Sequence, residues 1–431
     1  MAVCGCQCTA SVPGTQNSGP DQVTSTMTGK TRVSQRTGLA AVLCLAFVAT
    51  ATAADGLKIG RPGDVGLSAE RLKAALADYR KAVDADQVRG VVLLVACRGT
   101  IVLHEALGWS NVARRQPMRT DTLIRMASNT KAVVSTGVLQ LAEAGRLSLD
   151  DPIGDHLPAF ANAKCRKVTI RGLLSHTSGL RIKTLFLSPL RTRSAQYPLA
   201  PNLKLEVDRY ADIGPAVPPG TSYSYNNPGF NTLGALVETI SGQALEDYLA
   251  ANVYRPLGMH DTSHRPPREQ LQRMAVVYER VKPAADESKQ PGWRIRFDQA
   301  GKMKVPFVRG SGGLVSTTAD FAKFCQMFLN RGRLGSSRVL SAESVREATR
   351  PQTEHVYTPE ELKTRDRFYG LGWSVGRNGV FGHGGSEGTY AFVDPRHELI
   401  VLVFTQSPGG KNPRQAFFDA VVAAAVAAGD N

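Results

Sequence analysis

The chain is poor in cysteine. Only seven of its 431 residues are cysteines, and four of these lie within the first 44 residues. The remaining three, Cys97, Cys165 and Cys325, are widely separated. Three scattered cysteines exclude a disulfide framework, allow one bridge at most, and match no metal or haem spacing. We therefore expect buried thiols that pack as small apolar side chains.

The chain also lacks an apolar run long enough to span a membrane, which takes about 20 residues. Its most apolar N-terminal stretch, residues 38–48, follows a basic segment and ends in small residues. This arrangement is typical of a secretory signal peptide, with Ala51-Thr52-Ala53 as the cleavage motif. We expect residues 1–54 to be a signal peptide and leader. The long basic segment suggests that translation starts at Met27.

Cleavage would leave residues 55–431 as one exported domain in the periplasm or the extracellular space. No stable membrane span is then expected. An uncleaved signal, which would tether the protein to the membrane, is the alternative.

Acidic residues are few relative to basic ones, 37 against 52, which gives a net charge of +15. Without residues 1–54 the net charge is about +13 by the same count. A positive surface favours polyanions, and outside a bacterial membrane these are wall polymers or lipid headgroups before nucleic acid. The arginines are dispersed and no nucleic-acid motif is present, so we expect a solvated surface and no nucleic-acid partner.

The most informative motif is Ser128-Asn129-Thr130-Lys131, the only S-x-x-K in the chain. Residues three apart share one face of a helix, so the Ser128 hydroxyl and the Lys131 amine can come within hydrogen-bonding distance. A serine becomes nucleophilic when a base takes its proton, and a lysine can be that base if its pKa is lowered. Residues 132–142, small and apolar, predict a helix buried on most sides. The alternative is an ordinary helix start, with Ser128 as N-cap.

Tyr225 and Asn227 form a second cluster, in a loop rich in Pro, Gly and Asn that precedes a helix. A phenol near two cations would have a lowered pKa and could relay protons. An amide could hold a lysine amine or a substrate carbonyl. The alternative is a turn with a packing tyrosine.

The third cluster, residues 382–388, reads Gly-His-Gly-Gly-Ser-Glu-Gly and lies at the end of a predicted strand. Its glycines would let a substrate lie along the backbone, and a free N–H after the turn could bind an oxyanion. The alternative is a flexible hairpin loop with an exposed histidine.

The order of the predicted elements indicates an α+β fold. A helix capped at Ser68 and a hairpin over 91–97 and 101–105 come first, and a helix over 413–428 comes last. About residues 130–305 are predicted to form an inserted, mainly helical subdomain. An antiparallel sheet built from both chain ends and flanked by the terminal helices would leave a cleft beside this subdomain. Strands are also predicted over 371–375, 380–383, 389–393 and 399–405, and Thr317 is predicted to cap a helix.

The three clusters, in this order, resemble the motifs of the serine β-lactamase and penicillin-binding protein superfamily. The likeness is to its class C-like branch of esterases and D-alanyl-D-alanine carboxypeptidases, and it covers about residues 60 to 428. Supporting segments are residues 173–180, 256–259 and 312–320. The resemblance implies a β-lactamase/transpeptidase-like fold and acyl-serine chemistry that uses no cofactor and no metal.

Carried over to this sequence, the resemblance implies Ser128 as the acylated nucleophile and Lys131 as base or proton carrier. It implies Tyr225 as a second proton relay, so either Lys131 or Tyr225 could be the base. Asn227 would orient the lysine and the substrate.

The resemblance also implies an oxyanion hole made of the backbone N–H groups of Ser128 and Ser386, with His383 and Gly385 binding and orienting the substrate. Where many β-lactamases have a lysine and a threonine, this chain has His383 and Gly384. A neutral imidazole carries no fixed charge for a substrate carboxylate, which weakens the case for β-lactam hydrolysis.

We therefore expect an exported serine hydrolase that acts on carboxylic esters or small amides, including peptidoglycan fragments. The alternatives, in order, are a D-alanyl-D-alanine carboxypeptidase or D-aminopeptidase-like wall peptidase, a β-lactamase, and an inactive wall-binding module. His260 and His264 lie beside a predicted loop, so we expect no zinc site there. Residues 184–190, apolar and basic, could form a lid over the cleft.

Overall fold

The computed structural model describes residues 56–182, 202–281, 292–298 and 307–426. The predicted leader over 1–54 and the predicted lid over 184–190 lie outside these residues. Within the described ranges, no helix combines the length and apolar character needed to cross a membrane.

The strands form one large sheet and three small pairs. In the large sheet the order is β1-β3-β2-β15-β14-β13-β12-β11, with β4 beside β3. All its neighbours pair antiparallel except β1 and β3. The pairs are β5 with β8, β6 with β7, and β9 with β10. The strands are β1 Lys58–Ile59, β2 Gly90–Cys97, β3 Thr100–Asn111, β4 Gln116–Pro117, β5 Ile124–Arg125, β6 Val277–Arg280, β7 Trp293–Phe297, β8 Val315–Ser316, β9 Arg333–Leu334, β10 Ser337–Arg338, β11 Arg367–Tyr369, β12 Ser374–Gly376, β13 Phe381–Gly384, β14 Thr389–Asp394 and β15 Leu399–Thr405.

The helices cover both faces of this sheet and fill the middle of the chain. They are α1 Ala69–Asp84, α2 Thr130–Glu143, α3 Ile170–Leu174, α4 Leu203–Ile213, α5 Asn227–Ser241, α6 Leu245–Leu249, α7 Arg268–Leu271, α8 Thr318–Leu329, α9 Ala342–Thr349, α10 Pro359–Thr364 and α11 Arg414–Val426. A π-helical turn follows α6 over Ala250–Tyr254. Single 3-10 turns cover Pro62–Val65, Ala127–Asn129, Ile153–Asp155, Pro158–Phe160 and Glu354–Val356.

Strand β2 shows how the sheet separates two cores. Val92 and Leu94 point to the side of α2 and α8, and Val91 and Leu93 point to the side of α1 and α11. All four are fully buried, as expected for the period of two along a strand that is covered on both faces. The α+β fold with terminal helices on one face of an antiparallel sheet is thus confirmed.

Cys97, Cys165 and Cys325 are free, buried thiols.

Two predicted helix caps and the bounds of one predicted strand are confirmed. Ser68 and Thr317 accept hydrogen bonds from the N–H groups of Arg71 and Asp320 and cap α1 and α8. Strand β15 has the predicted bounds.

Other boundaries differ for physical reasons. The strand predicted over 371–375 is shifted to β12, because Gly372 has a φ of 84° and bends the chain before it. The pair β6 and β7 lies in the stretch that was predicted to be mainly helical. Its two strands are separated by residues 281–292 in sequence, so no short turn signals the pairing.

Candidate active site

Ser128 lies in the 3-10 turn Ala127–Asn129, immediately before α2, and not within the helix itself. The preceding residue, Ala127, has a φ of 45°, which is unfavourable for a residue with a Cβ atom. Such local strain is common where a functional side chain is presented, and it must be balanced by surrounding contacts. One such contact is the Asn129 amide, which donates to the Met126 carbonyl at 3.2 Å and to Thr389 Oγ1 at 3.0 Å.

Lys131 is fully buried beneath this turn. Its Nζ lies 3.2 Å from Ser128 Oγ, 2.8 Å from Asn227 Oδ1 and 2.9 Å from the Ser311 carbonyl oxygen. Burial lowers the pKa of Lys131 to about 7. A neutral amine has two N–H donors and one lone pair. Because Asn227 Oδ1 and the Ser311 carbonyl can only accept, the lone pair is left for the Ser128 hydroxyl proton.

Asn227 is the first residue of α5, and the helix start fixes its position. The side chain of Asn226 caps α5 by accepting from the Gly229 N–H at 2.8 Å. The Asn226 N–H in turn donates to Nδ1 of His176 at 3.3 Å. The cap therefore holds the Asn227 amide against Lys131.

Tyr225 lies beside the buried amine, with its ring centroid 4.9 Å from Lys131 Nζ. The residue as a whole is 43 % exposed, but the rings of His176, Tyr369 and His383 crowd around it at 4.4, 6.2 and 6.1 Å. Burial raises the pKa of the phenol to about 12, although the nearby Ser128 side chain acts in the opposite direction. The sequence-based expectation of a lowered phenol pKa is therefore wrong, because burial outweighs the interaction that lowers it.

His383 lies on β13 and is buried. Its Nδ1 lies 2.7 Å from the Gly384 carbonyl oxygen, and its Nε2 lies 3.0 Å from the Tyr369 hydroxyl. Since a carbonyl only accepts, Nδ1 carries the proton and Nε2 accepts from Tyr369. Burial lowers the pKa of His383 to about 3, so the ring is neutral at pH 7. Both ring nitrogens are engaged within the protein.

Gly385 brings the β13–β14 turn against the nucleophile turn. A Cβ atom on Gly385 would lie 2.6 Å from the Met126 carbonyl oxygen and 3.2 Å from Ala127 Cβ. Ser386 follows and lines the same cavity as Ser128. Within the described ranges the Ser386 N–H donates to no acceptor. It is thus free to donate to a bound oxyanion.

Residues 384–388 also match the G-x-S-x-G pattern of esterase nucleophile elbows. That pattern needs a turn from a strand into a helix. Here it joins two antiparallel strands, β13 and β14. Ser386 has no base hydrogen-bonded to its hydroxyl in the part of the chain that the structure describes. Ser128 is therefore the better-supported nucleophile.

His176 is a site-adjacent residue that the sequence analysis did not single out. It is fully buried, has a φ of 62°, and packs its ring against Tyr225, Phe230 and Tyr369. Burial lowers its pKa well below the ordinary value. The only sequence signal was its place within residues 173–180, which supported the family resemblance without indicating a role.

Two cavities adjoin the candidate catalytic cluster, which consists of Ser128, Lys131, Tyr225 and Asn227. The first, of about 450 Å³, is lined by Ser128, Asn227 and Ser386. The second, of about 470 Å³, is lined by Tyr225, His383 and Gly384. A substrate whose carbonyl carbon reaches Ser128 could place one substituent in each cavity.

Comparison with known proteins identifies the family of this chain. The profile of the family described as Beta-lactamase matches residues 75–425. Penicillin-binding protein 4 of Amycolatopsis lactamdurans is 32% identical over 329 residues, covering 74% of this chain and 81% of the relative. A putative D-alanyl-D-alanine carboxypeptidase of Escherichia coli O157:H7 is 27% identical over 384 residues, covering 80% and 85%.

Among solved structures, a family VIII carboxylesterase superposes with a TM-score of 0.64 at 24% identity, covering 82% of this chain and 97% of that chain. This likeness supports the fold. The family match spans most of the described sequence, and it includes all the residues of the catalytic cluster. The chain therefore belongs to the beta-lactamase family of serine hydrolases.

Proposed function

We propose that this protein hydrolyses carboxylic esters or small amides through an acyl-enzyme on Ser128. The observation that carries the proposal is the environment of Lys131. Its amine has a pKa of about 7, two acceptors for its N–H groups, and Ser128 Oγ at 3.2 Å. This arrangement favours Lys131, rather than Tyr225, as the base.

In the proposed acylation, Ser128 Oγ attacks the substrate carbonyl carbon while its proton moves to Lys131 Nζ. The carbonyl oxygen becomes an oxyanion that accepts from the N–H groups of Ser128 and Ser386. When this tetrahedral species collapses, the bond to the leaving group breaks. Tyr225, a neutral phenol with a pKa of about 12, gives its proton to the leaving oxygen or nitrogen, and Lys131 restores it.

Deacylation follows the same route with water as the nucleophile. Lys131 takes a proton from the water, the water oxygen attacks the acyl carbon, and Ser128 Oγ leaves with a proton. The products are the carboxylic acid and the free enzyme. No metal or cofactor takes part in the proposed cycle.

Charge within the first cavity supports a neutral acyl group. Three arginines line it, and each is matched by a carboxylate: Arg125 pairs with Glu387, Arg309 with Glu206 and Arg265 with Glu246. The remaining lining is largely apolar. A charged acyl substituent would gain no free counter-ion there, whereas the acyl groups of ordinary esters are uncharged.

The second cavity favours a second candidate function, that of a D-alanyl-D-alanine carboxypeptidase. Arg365, Arg367 and Arg414 line this cavity, and none of them has a carboxylate partner among the described residues. Unpaired guanidinium groups suit a terminal carboxylate on the leaving group. Release of D-alanine from an acyl-D-alanyl-D-alanine with a free carboxylate, compared with its C-terminal amide, tests this candidate. The preference for the free carboxylate over the amide should be smaller in Arg367→Ala than in wild type.

Turnover of β-lactams is expected to be weak, because His383 is neutral and both its nitrogens are engaged. An inactive wall-binding module would have no need of a buried lysine beside Ser128.

The deciding experiment is the intact mass and the peptide map of the protein after exposure to a fluorophosphonate, with p-nitrophenyl butyrate and nitrocefin turnover measured in parallel. We expect one adduct on the peptide that contains Ser128, ester turnover, and a weak nitrocefin signal. Ser128→Ala should lose adduct and turnover. The matched control is Ser135→Ala, which removes a buried hydroxyl of α2 that has no hydrogen-bond partner among the described residues.

An adduct on the peptide that contains Ser386 would contradict the proposed nucleophile. A folded wild-type protein that forms no adduct and turns over no ester would overturn the proposed function.

We also propose that the protein is exported, with residues 1–54 as leader and residues 55–431 as the hydrolase domain. Support comes from the signal-like N-terminal sequence. Small esters, amides or peptidoglycan fragments would be its substrates, with no nucleic-acid partner. N-terminal sequencing of protein recovered outside the cytoplasm should give a start directly after the Ala51-Thr52-Ala53 motif, at Ala54 or Asp55.

A further inference from the structure

A buried histidine follows α3 at a backbone position that usually holds glycine. Helix α3 ends at Leu174, and two hydrogen bonds close the chain after it in a Schellman motif. The His176 N–H donates to the Leu173 carbonyl oxygen at 3.4 Å. The Thr177 N–H donates to the Gly172 carbonyl oxygen at 2.8 Å. The φ of 62° at His176 is the left-handed conformation of this motif, which favours a residue without a Cβ atom. A fully buried histidine in this place needs an explanation.

His176 holds the chain on both sides of Tyr225. Its carbonyl oxygen accepts from the Ser224 N–H at 2.9 Å, and its Nδ1 accepts from the Asn226 N–H at 3.3 Å. Between these two hydrogen bonds, the Tyr225 ring packs on the His176 ring with their centroids 4.4 Å apart. Residues 224–226 are therefore fixed relative to the end of α3.

The His176 ring is neutral and has a single acceptor. Burial lowers the pKa of His176 well below its ordinary value, and the charges of Lys131 and His383 act in the same direction. Since Nδ1 accepts, Nε2 carries the hydrogen, and Nε2 has no hydrogen-bond partner among the described residues. His176 lines neither of the two cavities. Within the described ranges, the one hydrogen bond of its ring is thus the bond to Asn226.

Asn226 connects this ring to the base. Its side chain caps α5 by accepting from the Gly229 N–H at 2.8 Å. The next residue, Asn227, places its Oδ1 2.8 Å from Lys131 Nζ. The backbone N–H that His176 holds is therefore only one residue away from the amide that binds the amine. A displacement of about 1 Å at such a place can cost about 10²-fold in rate.

We propose that His176 is a positioning residue for the base Lys131. Its Nδ1 holds the Asn226 N–H, and this contact keeps the Asn227 amide oxygen against the Lys131 amine. The lone pair of the amine is then directed at the Ser128 hydroxyl. This inference rests on the proposed function, because it concerns the base of that reaction. It extends the catalytic machinery to a residue that lies outside both cavities.

The test compares two substitutions that carry the same amide group at different distances from the backbone. In His176→Asn the amide oxygen is as many bonds from Cβ as Nδ1 is, and asparagine also tolerates the backbone conformation of this motif. In His176→Gln the amide oxygen is one bond further away, as Nε2 is, and does not replace Nδ1. With p-nitrophenyl butyrate, kcat/KM of His176→Asn should stay within about tenfold of wild type, whereas that of His176→Gln should fall by about 10²-fold.

A double-mutant cycle with Asn227→Ala tests whether His176 acts through Asn227. If it does, adding His176→Gln to Asn227→Ala should lower kcat/KM by no more than about threefold, because the contact with Lys131 is already lost.

The matched control is Ser175→Ala. It removes a buried hydroxyl of the same turn, which bonds to the Arg171 carbonyl oxygen and to Thr177 Oγ1, and it leaves His176 in place. Its kcat/KM should stay within about twofold of wild type. Urea unfolding of every variant reports whether it folds. If His176→Gln does not fold, His176→Gly takes its place with the same expectation, since glycine suits the backbone and has no acceptor.

The outcomes separate this inference from the proposed function. If esters are turned over through Ser128 but His176→Asn and His176→Gln are equally active, the inference is wrong and His176 only packs against the aromatic rings. The same holds if the losses of His176→Gln and Asn227→Ala multiply in the double variant. If wild type forms no adduct on Ser128 and hydrolyses no ester, both proposals fail.

Discussion

The catalytic cluster depends on one buried amine whose protonation is balanced near neutral pH. Lys131 is surrounded by acceptors that are neutral, namely Asn227 Oδ1 and the Ser311 carbonyl, and no carboxylate of the described residues contacts it. Carboxylates would have raised its pKa and kept it charged. The choice of neutral partners is what makes a lysine usable as a base.

The rate of acylation should therefore follow the deprotonation of Lys131. The pKa values of His383 and Tyr225, about 3 and about 12, lie outside the accessible range, so a single rise is expected. With p-nitrophenyl butyrate, kcat/KM should increase with pH and reach half of its maximum near pH 7. A rate that is constant between pH 5.5 and 8.5 would contradict Lys131 as the base.

Tyr225 should matter most when the leaving group is a poor one. Tyr225→Phe removes the proton donor but keeps the ring that packs against His176. We expect a loss of about 10²-fold or more in kcat for an alkyl ester, and a much smaller loss for a p-nitrophenyl ester, whose leaving group needs no proton. Equal losses for both esters would indicate that Tyr225 only positions Ser128.

At the scale of elements, the site is made where short segments meet. The two-residue pair of β5 and β8 orients the Ser128 turn, and the turn between β13 and β14 closes over it at Gly385. The fit at Gly385 leaves no room for a side chain. Thr389, which opens β14, adds hydrogen bonds to the Met126 carbonyl and to Asn129.

Gly385→Ala should therefore separate the Ser386 N–H from the nucleophile turn. The added methyl group would meet the Met126 carbonyl oxygen at 2.6 Å, so the turn must move. Because a displaced oxyanion donor costs about 10²-fold in kcat, we expect a loss of this size with substrate KM little changed. Gly63→Ala is the control, since a Cβ there meets nothing within 4 Å. Full activity in Gly385→Ala would argue against this oxyanion hole.

Interactions between residues close in sequence could be predicted from the sequence, whereas interactions between distant residues could not. The contact of Ser128 with Lys131 and the cap at Thr317 span three residues, so the local pattern contains them. The Ser311 carbonyl, 180 residues from Lys131, carries no sequence signal because every residue has a carbonyl. His176 was missed because its partner Asn226 lies 50 residues away in sequence, and the β6–β7 pair was missed because no short turn joins its two strands.

On the scale of the whole molecule, the buried base reduces the stability of the fold. In the unfolded chain Lys131 has its ordinary pKa of 10.5, and in the folded protein the pKa is about 7. Between these values the unfolded state binds more protons, so the free energy of unfolding rises with pH across this window.

Lys131→Met removes the titrating amine. Comparison of this variant with wild type should therefore show directly how Lys131 makes the free energy of unfolding depend on pH. At pH 7 the variant no longer carries the cost of burying an amine, which is worth about 4 kcal/mol, although it leaves two acceptors unpaired. The free energy of unfolding of the variant minus that of wild type should therefore decrease as the pH rises from 7 towards 10.5. Urea unfolding at several pH values measures it. A difference independent of pH would mean that folded Lys131 keeps its ordinary pKa.

Strand β2 joins the two ends of the chain, because it pairs with β3 on one edge and with β15, which ends at Thr405, on the other. During synthesis the central sheet cannot close until β15 has left the ribosome. Folding is then expected to be late and slow, since these pairings are distant in sequence. Gly385 and Ser386 belong to the same late segment. A nascent or truncated chain that lacks this segment would thus contain Ser128 and Lys131 with only one of the two oxyanion donors, and acylating activity would arise only after this segment has been made.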